Sequence, residues 1–276
     1  LVLKQIGTVS GSLSLPFSIP INLINNKNFN SKLKMKGNIK HSVCRWCFEQ
    51  IPIEEFAYIV KSMGIEGVDL VGPKDWKILK KYDLVSSMCN GAEISLTQGW
   101  NNKEFHNTLV DSYKKHIEMV AAAGYKNLIC FSGNRGTIDD LTGLKNCERG
   151  LKKIISYAEK KGVIIQMELL NSKIDHPDYM CDNSRWGFEL CKSIDSENFK
   201  ILYDIYHMQI SEGDIIRTIT ENIKYIGHFH TAGVPGRNEI DENQELFYPS
   251  IMKSIVEMDF RGFVAQEFIP KNNPIK

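Results

Sequence analysis

The chain of 276 residues carries 34 Lys and Arg against 33 Asp and Glu, a formal charge of +1. With 42% hydrophobic and 24% charged residues it has a globular makeup, which excludes a wholly disordered chain, and the length suits one α/β barrel of about 250 residues. The near-zero charge counts against a nucleic-acid partner, because neutralising phosphates calls for a basic excess; with no run of about 18 uncharged apolar residues, no membrane span is expected.

Leu1 to Ile24 is apolar and Ser/Gly-rich without a clean helical period, and residues 25–40 are rich in Asn and Lys, a linker by composition. The chain begins at Leu rather than Met. LVLKQIGTVSGSLSLP reads either as the tail of an export leader, which would place the protein in the periplasm, or as a disordered arm on a cytoplasmic one. The expected division is therefore a leader-like arm and linker over 1–40 and a barrel over 41–276.

From His41 onward short apolar runs alternate with longer amphipathic ones. The first run, Ser42–Phe48, contains Cys44-Arg45-Trp46-Cys47. No second pair stands at a zinc-ribbon spacing, so these two cysteines are expected to be buried in a strand rather than to bind zinc. The remaining strand candidates are Gly67–Val71, Val85–Cys89, Asn127–Phe131, Val163–Leu169, Lys200–Tyr206, Ile226–His230 and Gly262–Phe268. Between them, helical periodicity marks Ile53–Met63, Lys103–Ala123, Leu144–Lys161, Asp214–Ile223 and Phe247–Met258. Gly64, Gly124, Gly162 and Gly262 stand where a left-handed residue ends a helix before the next strand. Eight β-α units of about 30 residues predict a parallel sheet closed into a (β/α)8 TIM barrel. After the eighth strand only Ile269–Lys276 remains, with Pro270 and Pro274. The eighth helix is expected to be missing, either by truncation or because the barrel is open on that side.

Chemistry in such a barrel sits where strands end at the C-terminal rim. Strand five ends in Glu168 and leads to Asn171; strand six gives Asp204, then His207; strand seven gives His228 and His230, then a loop to Arg237; strand eight ends in Glu267. A carboxylate buried alone is costly. Three acids and one His converging from four consecutive strands remove that cost by sharing a divalent cation, and an oxygen-rich site with one imidazole suits Mn²⁺, Mg²⁺, Co²⁺ or Zn²⁺. His228 and His230 are two apart and face one way on a strand. His230, nearer the rim, is the expected ligand, with His228 filling the layer below. His207, just past its strand, is placed to hydrogen-bond a substrate hydroxyl.

The segments MELLN, LYDIYHMQ, GHFHTAGVPGRNEID and VAQEF together resemble hydroxypyruvate isomerase and its relatives in the xylose-isomerase-like barrel superfamily, which also holds ketose 3-epimerases and the apurinic endonuclease IV type. The likeness spans about His41 to Pro270, and the A-G-V-P-G-R-x-E-I stretch is its most specific part. The resemblance implies that Glu168, Asp204, His230 and Glu267 bind one divalent metal. It implies that Glu168 and Glu267 act as an acid/base pair on opposite faces of an enediolate, and that His207 and Arg237 hold substrate oxygens. Asn171 is a further candidate for substrate binding, or else a helix-start residue. Position 230 departs from the hydroxypyruvate isomerase pattern, which has Gln there, and agrees with the epimerases.

The expected substrate is a small sugar or hydroxy-keto acid. Metal chelation by a carbonyl and the adjacent hydroxyl would stabilise the enediolate formed when a glutamate removes the α-proton. Proton return to the neighbouring carbon interconverts aldose and ketose; return to the same carbon from the other face gives the epimer. Both outcomes stay open, as does assembly into a homo-oligomer. The loops bearing Trp46, Trp100, Asn134–Arg135, His176 and Trp186 are expected to set substrate size, although the tryptophans also suit rim packing. A DNA-cleaving enzyme would need a multi-metal cluster and more than the seven His present, and a barrel that only binds sugar would exchange no protons.

Overall fold

The computed structural model describes residues 38–275. The proposed arm and linker therefore lie outside the described residues except for their last three positions. Eight parallel strands, β1 Lys40–Cys44, β2 Gly67–Asp69, β3 Val85–Met88, β4 Asn127–Cys130, β5 Ile164–Glu168, β6 Phe199–Asp204, β7 Ile226–Thr231 and β8 Phe263–Gln266, follow the order β3-β2-β1-β8-β7-β6-β5-β4. The two ends of that order meet through a single parallel bridge, Cys89 to Leu128, with Cys89 N–H donating to Asn127 O (2.9 Å) and Ile129 N–H to Cys89 O (3.0 Å). The result is a nearly closed (β/α)8 barrel.

All eight expected strands are present; β1 and β6 begin earlier than expected, β7 runs on to Thr231, and the other five are trimmed. No helix follows β8 through residue 275, yet the barrel is not open there: β8 pairs with β1 from Lys40↔Phe263 to Val43↔Gln266 and with β7 from Phe229↔Val264 to Thr231↔Gln266. The thin seam lies instead between β3 and β4. The first strand also stops earlier than expected. It ends at Cys44, and Arg45–Phe48 turns into a 3₁₀ helix, held by the Arg45 guanidinium donating to the carbonyls of Phe48 and of Ile51 (2.7 Å to Ile51 O). All seven cysteines are free and buried.

The helices are α1 Ile53–Ser62, α2 Trp76–Lys81, α3 His106–Ala123, α4 Asp140–Lys161, α5 Ser184–Ile194, α6 Ile205–Ser211, α7 Ile215–Asn222 and α8 Tyr248–Glu257. Each turns an apolar stripe inward; on α3 the buried residues Leu109, Tyr113, Ile117 and Val120 recur at helical spacing, each burial contributing about 1.5–3 kcal/mol. Gly124 and Gly162 end α3 and α4 in the left-handed conformation. Gly262 does not play that part: Asp259 takes the positive φ after α8. A side chain at 262 would meet Gly227 O at 2.5 Å, so close packing is what requires glycine there. None of the helices among the described residues is long and apolar enough to cross a membrane.

Candidate active site

Contacts that skip a strand of the sheet pass through the barrel interior, and they concentrate at one place. Glu168 closes β5, Asp204 closes β6, His230 lies near the end of β7, and Glu267 follows β8, where its N–H still donates to Thr231 O (2.9 Å). Their ligand atoms lie within 4.8 Å of one another, and all four residues are buried. His230 Nδ1 is 3.0 Å from Glu168 Oε1 and 2.8 Å from Glu267 Oε2. Those separations match neighbouring ligands on a divalent ion with bonds of about 2.1 Å. Asp204 Oδ2 has no hydrogen-bond partner although it is buried, an orphan that such an ion would satisfy. The donor set, three carboxylates and one imidazole, fits a hard or borderline divalent cation.

The three carboxylates are not equivalent. Burial pushes the Glu168 carboxyl up, and the charge of Glu267 adds to this. Asp204 is raised well above the usual carboxylate range by burial and then by Glu267. Burial also works against Glu267, yet the Arg237 guanidinium, His230 and the Trp46 indole together hold it well below that range. Arg237 Nη2 lies 2.6 Å from Glu267 Oε2 and 3.7 Å from Asp204 Oδ2. Its guanidinium stacks between the rings of Trp46 (5.1 Å) and Tyr206 (5.4 Å), and its Nε is buried without a partner.

His207 sits in the first turn of α6, a helix whose N-terminus is capped by Asp204 Oδ1 accepting from His207 N–H (3.2 Å). It is a buried residue, not a surface one. Burial and then the charge of Arg237 hold the imidazole well below its ordinary value, hence neutral. Its Nε2 is buried, unpartnered and 3.7 Å from Asp204 Oδ2. Asn171 is fully buried too, and its contacts are to protein: Oδ1 accepts from the N–H groups of Ile174 (2.9 Å) and Asp175 (3.0 Å), while Nδ2 reaches Asp175 Oδ2 (2.6 Å) and His207 Nδ1 (2.7 Å). In the structure Asn171 supports His207.

Of the loop residues expected to set substrate size, two reach this centre. Trp46 Nε1–H donates to Glu267 Oε1 (2.7 Å), and the His176 ring packs edge-on against His207 (5.2 Å). The others are structural. Trp100 is fully buried against Tyr113 and His106; Trp186 ties α5 to Asp140 O (3.0 Å); Asn134 donates to Pro177 O (3.3 Å). Arg135 binds Asp140 Oδ1 (2.7 Å), Asp182 Oδ1 (3.0 Å) and Met180 O (3.2 Å).

Asp69, at the end of β2, went unrecognised in the sequence. It is fully buried, and its Oδ2 lies 2.5 Å from His228 Nε2 and 3.1 Å from His230 Nε2, while the Ser87 hydroxyl donates to Oδ1. Burial opposes its ionisation, but His228 and His230 hold the carboxyl well below its usual range. The signal that marks the other acids, a carboxylate inside an apolar strand, is present in Gly-Val-Asp69-Leu-Val as well.

With the barrel and its rim in view, the model of the xylose isomerase-like TIM barrel family matches residues 57–276. The chain belongs to the xylose isomerase-like TIM barrel family. A 2-oxo-tetronate isomerase of Cupriavidus necator is 34% identical over 114 residues, 41% of this chain and 43% of that protein. The matched stretch thus spans less than half of that relative. A hydroxypyruvate isomerase of Escherichia coli is 27% identical over 75% of this chain and 84% of its own length. Among solved structures, an AP endonuclease, family 2 protein of Brucella melitensis superposes with TM-score 0.76 at 21% identity, covering 86% of this chain and 96% of the other. A D-psicose 3-epimerase of Clostridium cellulolyticum H10 superposes with TM-score 0.72 at 16% identity, covering 86% and 88%. These superpositions show the family's fold and nothing finer.

Proposed function

We propose that this member of the family is a divalent-metal-dependent isomerase of a small sugar or α-hydroxycarbonyl compound, hydroxypyruvate isomerase-like. The observation that carries the proposal is the cluster of four buried ligand atoms beside three orphaned polar atoms, Asp204 Oδ2, His207 Nε2 and Arg237 Nε. Relatives named as isomerases support the same reaction class.

Held by Glu168, Asp204, His230 and Glu267, a Mn²⁺, Mg²⁺, Co²⁺ or Zn²⁺ ion would supply Lewis acidity toward adjacent substrate oxygens. Glu267, kept ionised by Arg237 and Trp46, is suited to take the α-proton as general base. Glu168, the second glutamate of the cluster, is suited to return a proton. His207 offers Nε2–H and Arg237 offers Nε–H to substrate oxygens, which fixes the plane of the intermediate between the two glutamates.

Return of the proton to the neighbouring carbon makes an isomerase, the outcome that the relatives' names favour; return to the same carbon makes a 3-epimerase. Cleavage of a phosphodiester fits less well. Among the described residues the metal-competent groups all centre on His230, and a chain of formal charge +1 lacks the basic excess that a phosphodiester backbone calls for.

The test is incubation in D₂O with Mn²⁺ and a panel of short keto-acids and ketoses, following deuterium at the α-carbon by NMR. Exchange that disappears in Glu267→Gln is expected. A folded, Mn²⁺-loaded sample that exchanges with none of the panel overturns the proposal.

A further inference from the structure

Asp69 lies on β2, outside the four strands that carry the cluster, and reaches β7 across the barrel interior. Asp69, His228 and His230 are close enough to be considered a metal group of their own. The 2.5 Å between Asp69 Oδ2 and His228 Nε2 argues otherwise: ligands on one ion with bonds of about 2.1 Å stand roughly 3 Å apart, whereas 2.5 Å is a short hydrogen bond. One carboxylate oxygen therefore takes hydrogen bonds from both imidazoles. Each ring must then present Nε2–H to it, because a carboxylate only accepts. For His230 this leaves Nδ1, the atom that faces Glu168 Oε1 and Glu267 Oε2, as the nitrogen that would give up its hydrogen and turn its lone pair to an ion held there. Cys44 Sγ, 3.8 Å from His230 Nε2, is a weaker and more distant acceptor.

The geometry points to Asp69 as a positioning residue of the metal centre: it sets the tautomer and ring plane of His230 so that Nδ1 is the ligand. His228 and Ser87 anchor Asp69 from the layer beneath, giving each a purpose that barrel filling alone does not. The inference rests on the proposal that Glu168, Asp204, His230 and Glu267 hold a divalent ion. Carboxylates behind metal-bound histidines orient the ring and raise its basicity, and losing one weakens metal binding about 10- to 100-fold.

Two measurements test it. Mn²⁺ titration by calorimetry should show Asp69→Asn binding about 10- to 100-fold more weakly than the unaltered protein. Long-range ¹H–¹⁵N spectra of the histidine-labelled, unaltered protein loaded with diamagnetic Zn²⁺ should show His230 with Nε2–H and a metal-shifted Nδ1. This second reading needs no variant to fold, and loosened packing does not produce it. An unaltered protein that binds no divalent ion overturns both the metal proposal and this one. Ion binding undiminished in Asp69→Asn, or a loaded His230 that carries Nδ1–H, overturns the role of Asp69 and leaves the metal site standing.

Discussion

Asn171 Nδ2 donates to His207 Nδ1 across 2.7 Å, and the direction of that bond is set at the far end of the amide. Asn171 Oδ1 already accepts from the N–H groups of Ile174 and Asp175, so the nitrogen must face the imidazole. His207 Nδ1 is then the acceptor and Nε2 carries the hydrogen. Asn171→Asp keeps the shape and the loop cap but replaces the donor with an acceptor, which drives the hydrogen to Nδ1. Turnover should fall by about 10²-fold, as when an oriented donor is removed, and more than in Asn171→Ala. Steady-state kinetics on the two variants checks the order; equal losses would contradict it.

Trp46 contributes one hydrogen bond to Glu267 and one face to Arg237. In Trp46→Phe the ring face stays and the N–H goes, leaving Glu267 Oε1 free to rotate. Solvent-proton exchange is expected to slow roughly 10-fold, in line with the loss of about 1.4 kcal/mol of orientation, while the thermal midpoint barely moves. An unchanged exchange rate would show that Arg237 alone holds the base.

Asp204 is buried with an orphaned oxygen and two acidic neighbours. A folded-state value raised above the unfolded one means that this acid costs stability as pH rises through the ordinary carboxylate range. Asp204→Asn should therefore raise the melting temperature of the metal-free protein at pH 7 by roughly 2–4 °C. The same change should abolish the rise that Mn²⁺ gives the unaltered protein, about 2.7 kcal/mol at a hundredfold excess over Kd. Thermal unfolding with and without Mn²⁺ measures both; a less stable metal-free variant would refute it.

Asp182 shows the opposite sign. Burial raises its carboxyl, but Arg135, Ser172 and Asn183 outweigh burial and lower it overall. Its contribution is present above the unfolded value of about 3.9 and is lost as pH falls through the lower folded value. Asp182→Asn should cost about 1–3 kcal/mol at pH 7, and the gap from the unaltered protein should narrow below about pH 4. Denaturant melts across that range would expose a gap that stays constant.

How far the structure was legible in advance depended on whether a residue's neighbours in sequence are also its neighbours in space. The eight strands were legible because buried parallel strands read as apolar runs, and Gly124 and Gly162 mark where α3 and α4 end. Glu168, Asp204, His230 and Glu267 stood out as charges within such runs, and the structure brings them together. The helix α6 was not legible: Ile-Tyr-His after Asp204 continues the apolar pattern of β6, and only the Asp204 cap on His207 N–H turns the chain. Trp46 looked like a rim aromatic because its partner, Glu267, is at the other end of the barrel sequence. Asn171 looked like a substrate ligand because nothing local reveals that His207 occupies its amide.

The four clustered groups come from consecutive strands β5 to β8, whereas Trp46 and Asp69, which steady two of them, come from the first and second βα units. The ligands thus all lie in the second half of the chain, while their supports come from both halves, Arg237 among them. Sequence drift at the two first-half supports can retune affinity or rate while leaving the donor set whole. Drift at the four positions of the second half has no such latitude. A lineage exploring new substrates on this barrel could retune its centre at residues 46 and 69 without touching a ligand, far along the chain from the groups they support.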